Sequence, residues 1–117
     1  MKTSFEFSDN ILGVILEKKI DSENIEDIQK MLEEKINRYK RVSIYLEDRH
    51  NDGITLMAVL KDLTFEVSRK GAFQKIAVVT DAKFFKLMTE LKEKLVAAEV
   101  ESFDREDRMR AMNWVMQ

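Results

Sequence analysis

Phe73-Gln74-Lys75-Ile76-Ala77-Val78-Val79-Thr80-Asp81 is the stretch on which the fold of this 117-residue chain turns. From Gln74 to Thr80 its centre, Ile76-Ala77-Val78-Val79, is unbroken apolar sequence, the character of a strand covered on both faces and hence of a parallel sheet flanked by helices. Upstream, Ile54 to Lys70 reads as a helix whose inner face carries Leu56, Leu60, Leu63 and Val67 with Val59 beside them. Arg69, Lys70 and Gly71 close it, cations meeting the negative end and glycine taking the left-handed position. Downstream, Asp81 is placed to cap a helix with Phe84, Leu87, Met88, Leu91 and Leu95 inside. A strand near Ala98 to Phe103 follows. The last helix runs from Asp104, with Asp107 in its first turn and Met109, Ala111, Met112, Val115 and Met116 on its apolar side.

Further toward the N-terminus, Val42 to Leu46 alternates as a strand and ends in the polar stretch Glu47 to Gly53. Before it, Asp21 and Ser22 offer an N-cap for a helix with Ile25, Ile28, Leu32, Ile36 and Tyr39 in one stripe. Phe5 to Phe7 and Ile11 to Leu16, joined through Ser8-Asp9-Asn10, form a hairpin. Strands alternating with helices of this length predict an α/β fold: a mostly parallel sheet with an antiparallel N-terminal edge hairpin and about four helices. A length under about 150 residues predicts one domain over residues 1–117.

Composition removes whole classes of function. With 44% apolar and 36% charged residues the chain has the makings of a packed core, not of disorder. The absence of cysteine excludes disulfides, thiolate nucleophiles and cysteine-ligated metals. A net charge of −2 gives no overall pull toward nucleic acid. No stretch approaches the about 20 apolar residues that span a bilayer, so the expected location is the cytoplasm, with peripheral membrane contact left open.

The element order, the Phe73 to Asp81 strand running into a lysine- and phenylalanine-led helix, and the ending Phe103-Asp104-x-x-x-x-x-x-Ala111-x-x-Trp114 together resemble the SpoIIAA-like branch of the STAS superfamily. The resemblance covers nearly the whole chain. It implies a small STAS-type sheet packed by helices and used for regulation, protein association or ligand binding, with no covalent chemistry. Relatives in that wider superfamily include anti-sigma-factor antagonists and cytoplasmic domains of anion transporters, and the fold is related to lipid-carrying CRAL-TRIO domains. In phospho-switch members the loop after the third strand carries an Asp-Ser-Ser-Gly-like stretch with a phosphorylated serine. Here the loop is Asp48-Arg49-His50-Asn51-Asp52-Gly53-Ile54-Thr55: the glycine is kept, Asp52 stands before it in place of serine, and the nearest hydroxyl is Thr55. A carboxylate at Asp52 mimics part of a phosphoserine's charge and would repel a phosphate at Thr55.

Two regions are candidate sites. The first is the loop itself, Asp48, Asn51, Asp52, Gly53 and Thr55, where backbone N–H groups at a helix start attract anions; the competing reading is that Asn51 or Asp52 simply caps the helix. His50 stands alone, so neither a metal site nor a general base is expected there. The second is apolar surplus on the two helices flanking the Phe73 strand. Ile54, Ala58 and Phe65 project opposite the leucine stripe, and Phe85 sits at the margin of the next helix's inner face. With Met57, Phe84 and Met88 they suit an apolar groove for a lipid-like small molecule, or a homodimer patch; burial by neighbouring elements is the plainer alternative. Lys83, Lys86, Lys92 and Lys94 against Glu90 and Glu93 suit a membrane surface, although a solvated amphipathic helix shows the same pattern. Met109, Met112 and Met116 read as core with Trp114 at its edge. No Walker-type phosphate loop, paired metal-ligand histidines or G-x-S-x-G occurs, so no catalytic residue, metal or cofactor is expected. The sequence therefore predicts a non-enzymatic binding or regulatory module. Its ligand is apolar or lipid-like, or else it is a protein-interaction regulator resembling anti-sigma-factor antagonists without the usual serine.

Overall fold

The computed structural model describes residues 2–8, 10–49, 54–69 and 71–117. In chain order they form β1 (Lys2–Ser8), β2 (Ile11–Leu16), α1 (Ser22–Tyr39), β3 (Val42–Asp48), α2 (Leu56–Ser68), β4 (Phe73–Val79), α3 (Lys83–Leu95), β5 (Glu99–Phe103), a 3-10 turn (Arg105–Asp107) and α4 (Arg108–Met116). One sheet holds all five strands in the order β1-β2-β3-β4-β5. β1 pairs antiparallel with β2, and every later pair is parallel. The α/β fold with its antiparallel edge hairpin is as the sequence predicts.

Each parallel crossover steps one strand onward in the same direction, so right-handedness puts α1, α2 and α3 on one face. Leu12, Val14, Leu16, Ile44, Ile76, Val78 and Val100 face those helices. The alternate residues Ile11, Tyr45, Ala77, Val79 and Phe103 face Ala111 and Val115 of α4. Central β4 is thus apolar on both sides, which is why Ile76 to Val79 reads without a break. Strand order never reverses among the parallel strands, so the crevice where doubly wound sheets bind ligands does not form.

α1 follows its sequence closely. The Asp21 carboxylate accepts from the backbone N–H of Asn24 at 2.9 Å, and Ile25, Ile28 and Leu32 are buried against the sheet. Gly71, at φ 87°, takes the left-handed position that stops the chain after α2.

The other helices depart from expectation. α2 begins later than Ile54, which instead forms a parallel bridge with Ile20. Its cap is Thr55, whose hydroxyl accepts from Ala58 N–H at 3.1 Å, not Asn51 or Asp52. Asp81 does not cap α3; its carboxylate accepts from Arg105 N–H at 3.0 Å, and the Thr80 hydroxyl accepts from Ala82 N–H instead. On α4 Ala111 and Val115 are buried against the sheet with Met112 and Trp114 partly buried beside them, as expected, while Met109 and Met116 stay exposed.

The largest correction is the facing of α2 and α3. Among the described side chains of α2 the buried ones are Ala58, Phe65 and Glu66, while Leu60 and Val67 from the expected inner stripe are exposed and the side chain of Leu56 lies outside those described. In α3 Phe85 is 4% exposed and Phe84 43%; Leu87, Leu91 and Leu95 also lie outside. α2 is apolar around most of its circumference, so periodicity does not choose a face. Shape does: Ala58 permits close approach, and Phe65 meets Phe73 edge to face at 6.1 Å between ring centres. In α3 the line below Phe85 continues through Thr89 and Lys92. Both are tolerated inside because Thr89 donates to the Phe85 carbonyl at 2.9 Å and Lys92 meets two carboxylates.

Candidate functional site

Turning the leucine stripes away from the sheet leaves an apolar groove between α2 and α3, with a volume of about 200 Å³. Ile54, Val59, Leu60 and Leu63 form one wall and Phe85, Met88, Leu91 and Leu95 the other; Asp62, Thr89 and Lys92 are its polar lining. Met57, Val67, Phe84 and Leu87 are exposed and lie outside its lining. Of the residues expected to bind an apolar ligand, Phe85 and Met88 line the groove, whereas Met57 and Phe84 are exposed outside its lining. Phe65 is not part of it. It is buried on the α1 side of α2, with the Arg69 guanidinium 4.1 Å from its ring centre.

Beneath the groove lies a charge cluster outside the residues expected from the sequence. Lys92 Nζ pairs with Asp62 Oδ2 and lies 2.9 Å from Glu66 Oε1. Glu66 is 3% exposed, and burial, reinforced by the Asp62 charge, pushes its carboxyl up to about 8 against the pull of Lys92. Burial disfavours the Lys92 ammonium, but the two carboxylates outweigh it and hold its pKa above the usual value. The signal was present in the sequence: Asp62 and Glu66 stand one turn apart on a helix rich in apolar residues.

At the carboxyl ends of the strands Asp48 is fully buried. Its Oδ2 accepts from Thr80 Oγ1 at 2.8 Å, and Thr80 in turn caps Ala82 N–H, so Asp48 braces the start of α3. Thr55 serves as a helix cap. Asn51, Asp52 and Gly53, and His50 with them, lie outside the described residues. On the α4 side, Tyr45 Oη donates to the buried Glu47 at 2.6 Å, and Arg49 Nε lies 3.5 Å from Glu47. Burial first, then Glu47, raises the Tyr45 phenol above its ordinary pKa and keeps it protonated. Asp104, Glu106 and Asp107 cluster near the 3-10 turn, where Lys86 pairs with Asp104 and Arg110 with Asp107. Among the described residues no helix is long and apolar enough to cross a membrane.

A family model described as SpoIIAA-like matches residues 11–116. The chain belongs to the SpoIIAA-like family. Its fold is similar to the crystal structure of an uncharacterized DUF3478-family protein with a SpoIIAA-like fold from Shewanella loihica PV-4. The two share 19% identity at a TM-score of 0.69, over 98% of this chain and 92% of that one. No curated protein matches. At that identity the structural likeness speaks for the fold, and a SpoIIAA-like fold is that of a binding or regulatory module. In this SpoIIAA-like chain the α2–α3 groove is lined mainly by apolar side chains.

Proposed function

We propose that this protein is a non-enzymatic module that binds an apolar, lipid-like small molecule between α2 and α3 and presents that face to anionic membrane surfaces. The observation that carries the reading is the inverted facing of the two helices: Leu60, Leu87, Leu91 and Leu95 lie outside while Glu66, Thr89 and Lys92 lie beneath them. Fully burying a leucine side chain is worth roughly 1.5–3 kcal/mol, so a chain that leaves four of them about half exposed forgoes part of the stability that an apolar ligand or membrane would restore. Lys83 and Lys94 flank the same helix and would favour anionic headgroups. The anti-sigma-antagonist alternative has less to rest on, since the Thr55 hydroxyl is engaged in capping α2.

Native mass spectrometry of the purified protein, with flotation on phosphatidylglycerol-containing vesicles, tests the proposal. A co-purifying apolar ligand, and flotation lost in Leu87→Ser/Leu91→Ser, is the expected result. No ligand and no flotation at low salt would overturn it.

A further inference from the structure

The Asp62, Glu66 and Lys92 cluster stands between two cavities. Asp62 and Lys92 line the 200 Å³ groove on one side. Glu66 lines a second cavity of about 310 Å³ on the other, between the carboxyl ends of α2 and α3, where Arg69, Phe73 and Lys94 also face it. Small-molecule pockets run to roughly 300–1,000 Å³, so the groove alone is undersized for a lipid-like ligand, whereas the two volumes joined are not. α2 packs closely on α1 and only lightly on α3, which makes this ion cluster a principal tie across the seam.

We propose that the Asp62–Glu66–Lys92 cluster is a proton-operated partition: with Glu66 protonated it ties α2 to α3 and keeps the cavities apart, and ionisation of Glu66 loosens the seam and joins them into one ligand chamber. This rests on the ligand-binding reading above. With Glu66 neutral, Asp62 and Lys92 balance and the buried cluster carries no net charge. Losing the Glu66 proton sets two carboxylates one turn apart on α2 against a single ammonium, and the surplus negative charge is relieved by admitting water along the seam. The groups facing Glu66 are Asp62 on its own helix, Arg69 just past that helix's end, and Lys92 and Lys94 on α3; β4 presents Phe73, which does not titrate. Arg69 is already paired with Glu33 of α1. The carboxyl changes charge near pH 8, within reach of ordinary conditions.

The test follows amide hydrogen exchange of the full chain, corrected for intrinsic rates, from pH 6 to pH 9.5, together with affinity for the neutral fluorophore phenylnaphthylamine. In the wild type, protection along α2 and α3 falls and probe affinity rises about fivefold, both with a midpoint near pH 8. Glu66→Gln stays at the low-pH level throughout. Asp62→Asn removes the like charge and moves the midpoint to lower pH, a shift that a purely structural role would not produce and that decides the matter if Glu66→Gln does not fold. Exchange that is flat across the range in the wild type, or a Glu66→Gln profile that tracks the wild type, overturns the partition. If exchange loosens as expected yet no probe binds at any pH, the partition stands and the ligand-binding reading falls.

Discussion

α1 and α3 are both amphipathic helices laid on the same face of the same sheet, yet they use their apolar stripes in opposite ways. α1 turns Ile25, Ile28 and Leu32 onto the sheet. α3 sends only Phe85 and Thr89 fully inward and leaves Leu87, Leu91 and Leu95 outside. The difference follows position. α1 packs against α2 and β3, with sheet beneath it on both sides, whereas α3 lies along β5, a five-residue edge strand. A helix over an edge has less sheet to cover, and its stripe leans toward the neighbouring helix and solvent. Amphipathicity therefore locates an apolar stripe without saying what covers it; at α3 the cover is missing.

Neighbouring residues of α3 give the hardest test of that contrast. Phe85→Ala is expected to destabilise the fold by about 3–5 kcal/mol, and Phe84→Ala by under about 1 kcal/mol, measured by chemical denaturation. Equal costs, or the reverse order, would return α3 to the facing that its leucines suggest. Next in size is Lys92→Met, at about 3 kcal/mol, because it removes the cation that balances Asp62 beside the buried Glu66. Lys86→Met, which breaks the more exposed pair with Asp104, is expected to cost under about 1 kcal/mol.

How much was legible follows the same division. The strands, their order and α1 could be read because alternation, continuous apolar runs and an Asp21 cap each point to one answer. Gly71 was legible for the same reason, its left-handed φ being a demand that few other residues meet. The facing of α2 was hidden, since a helix with Met57, Val59, Leu60, Leu63, Phe65 and Val67 offers more than one apolar side. Ala58 and Phe65 win by fit to the sheet, a property of shape in three dimensions. The groove was anticipated between these helices, but Phe65 was assigned to it from the wrong side. The charge cluster was missed because Asp62 and Glu66 gain meaning only when Lys92, on another helix, arrives beside them. Asp48 was read as loop chemistry, while its burial and its bond to Thr80 depend on the β3–β4 register.

Acidity offers a more diffuse contrast. The Glu66 carboxyl titrates near 4.5 when unfolded and about 8 when folded, so the native state holds a proton that the unfolded chain has lost between those values. Stability from this group is complete below about pH 4.5 and is lost as pH rises toward 8, with a slope of at most about 1.4 kcal/mol per pH unit. Denaturation at pH 5, 7 and 9 should show this decline in the wild type and its absence from Glu66→Gln; a wild type growing more stable over that range contradicts the burial of an acid at the seam.

The smallest expected effect discriminates most sharply between the two helices. Leu87 of α3 is 52% exposed, so Leu87→Ser removes little buried area and is expected to change stability by no more than about 0.5 kcal/mol. Leu32 of α1, placed in the equivalent stripe but 2% exposed, is expected to cost about 3 kcal/mol or more on the same replacement, since it leaves a cavity and an unpartnered hydroxyl in the core. If Leu87→Ser instead proves costly, something covers α3 in the free protein, and sedimentation at the concentration of the denaturation experiment would show whether that cover is a second copy. If it is neutral for stability yet lowers vesicle flotation, the leucine stripe is kept for contacts outside the folded chain, and the inward and outward stripes serve folding and binding respectively.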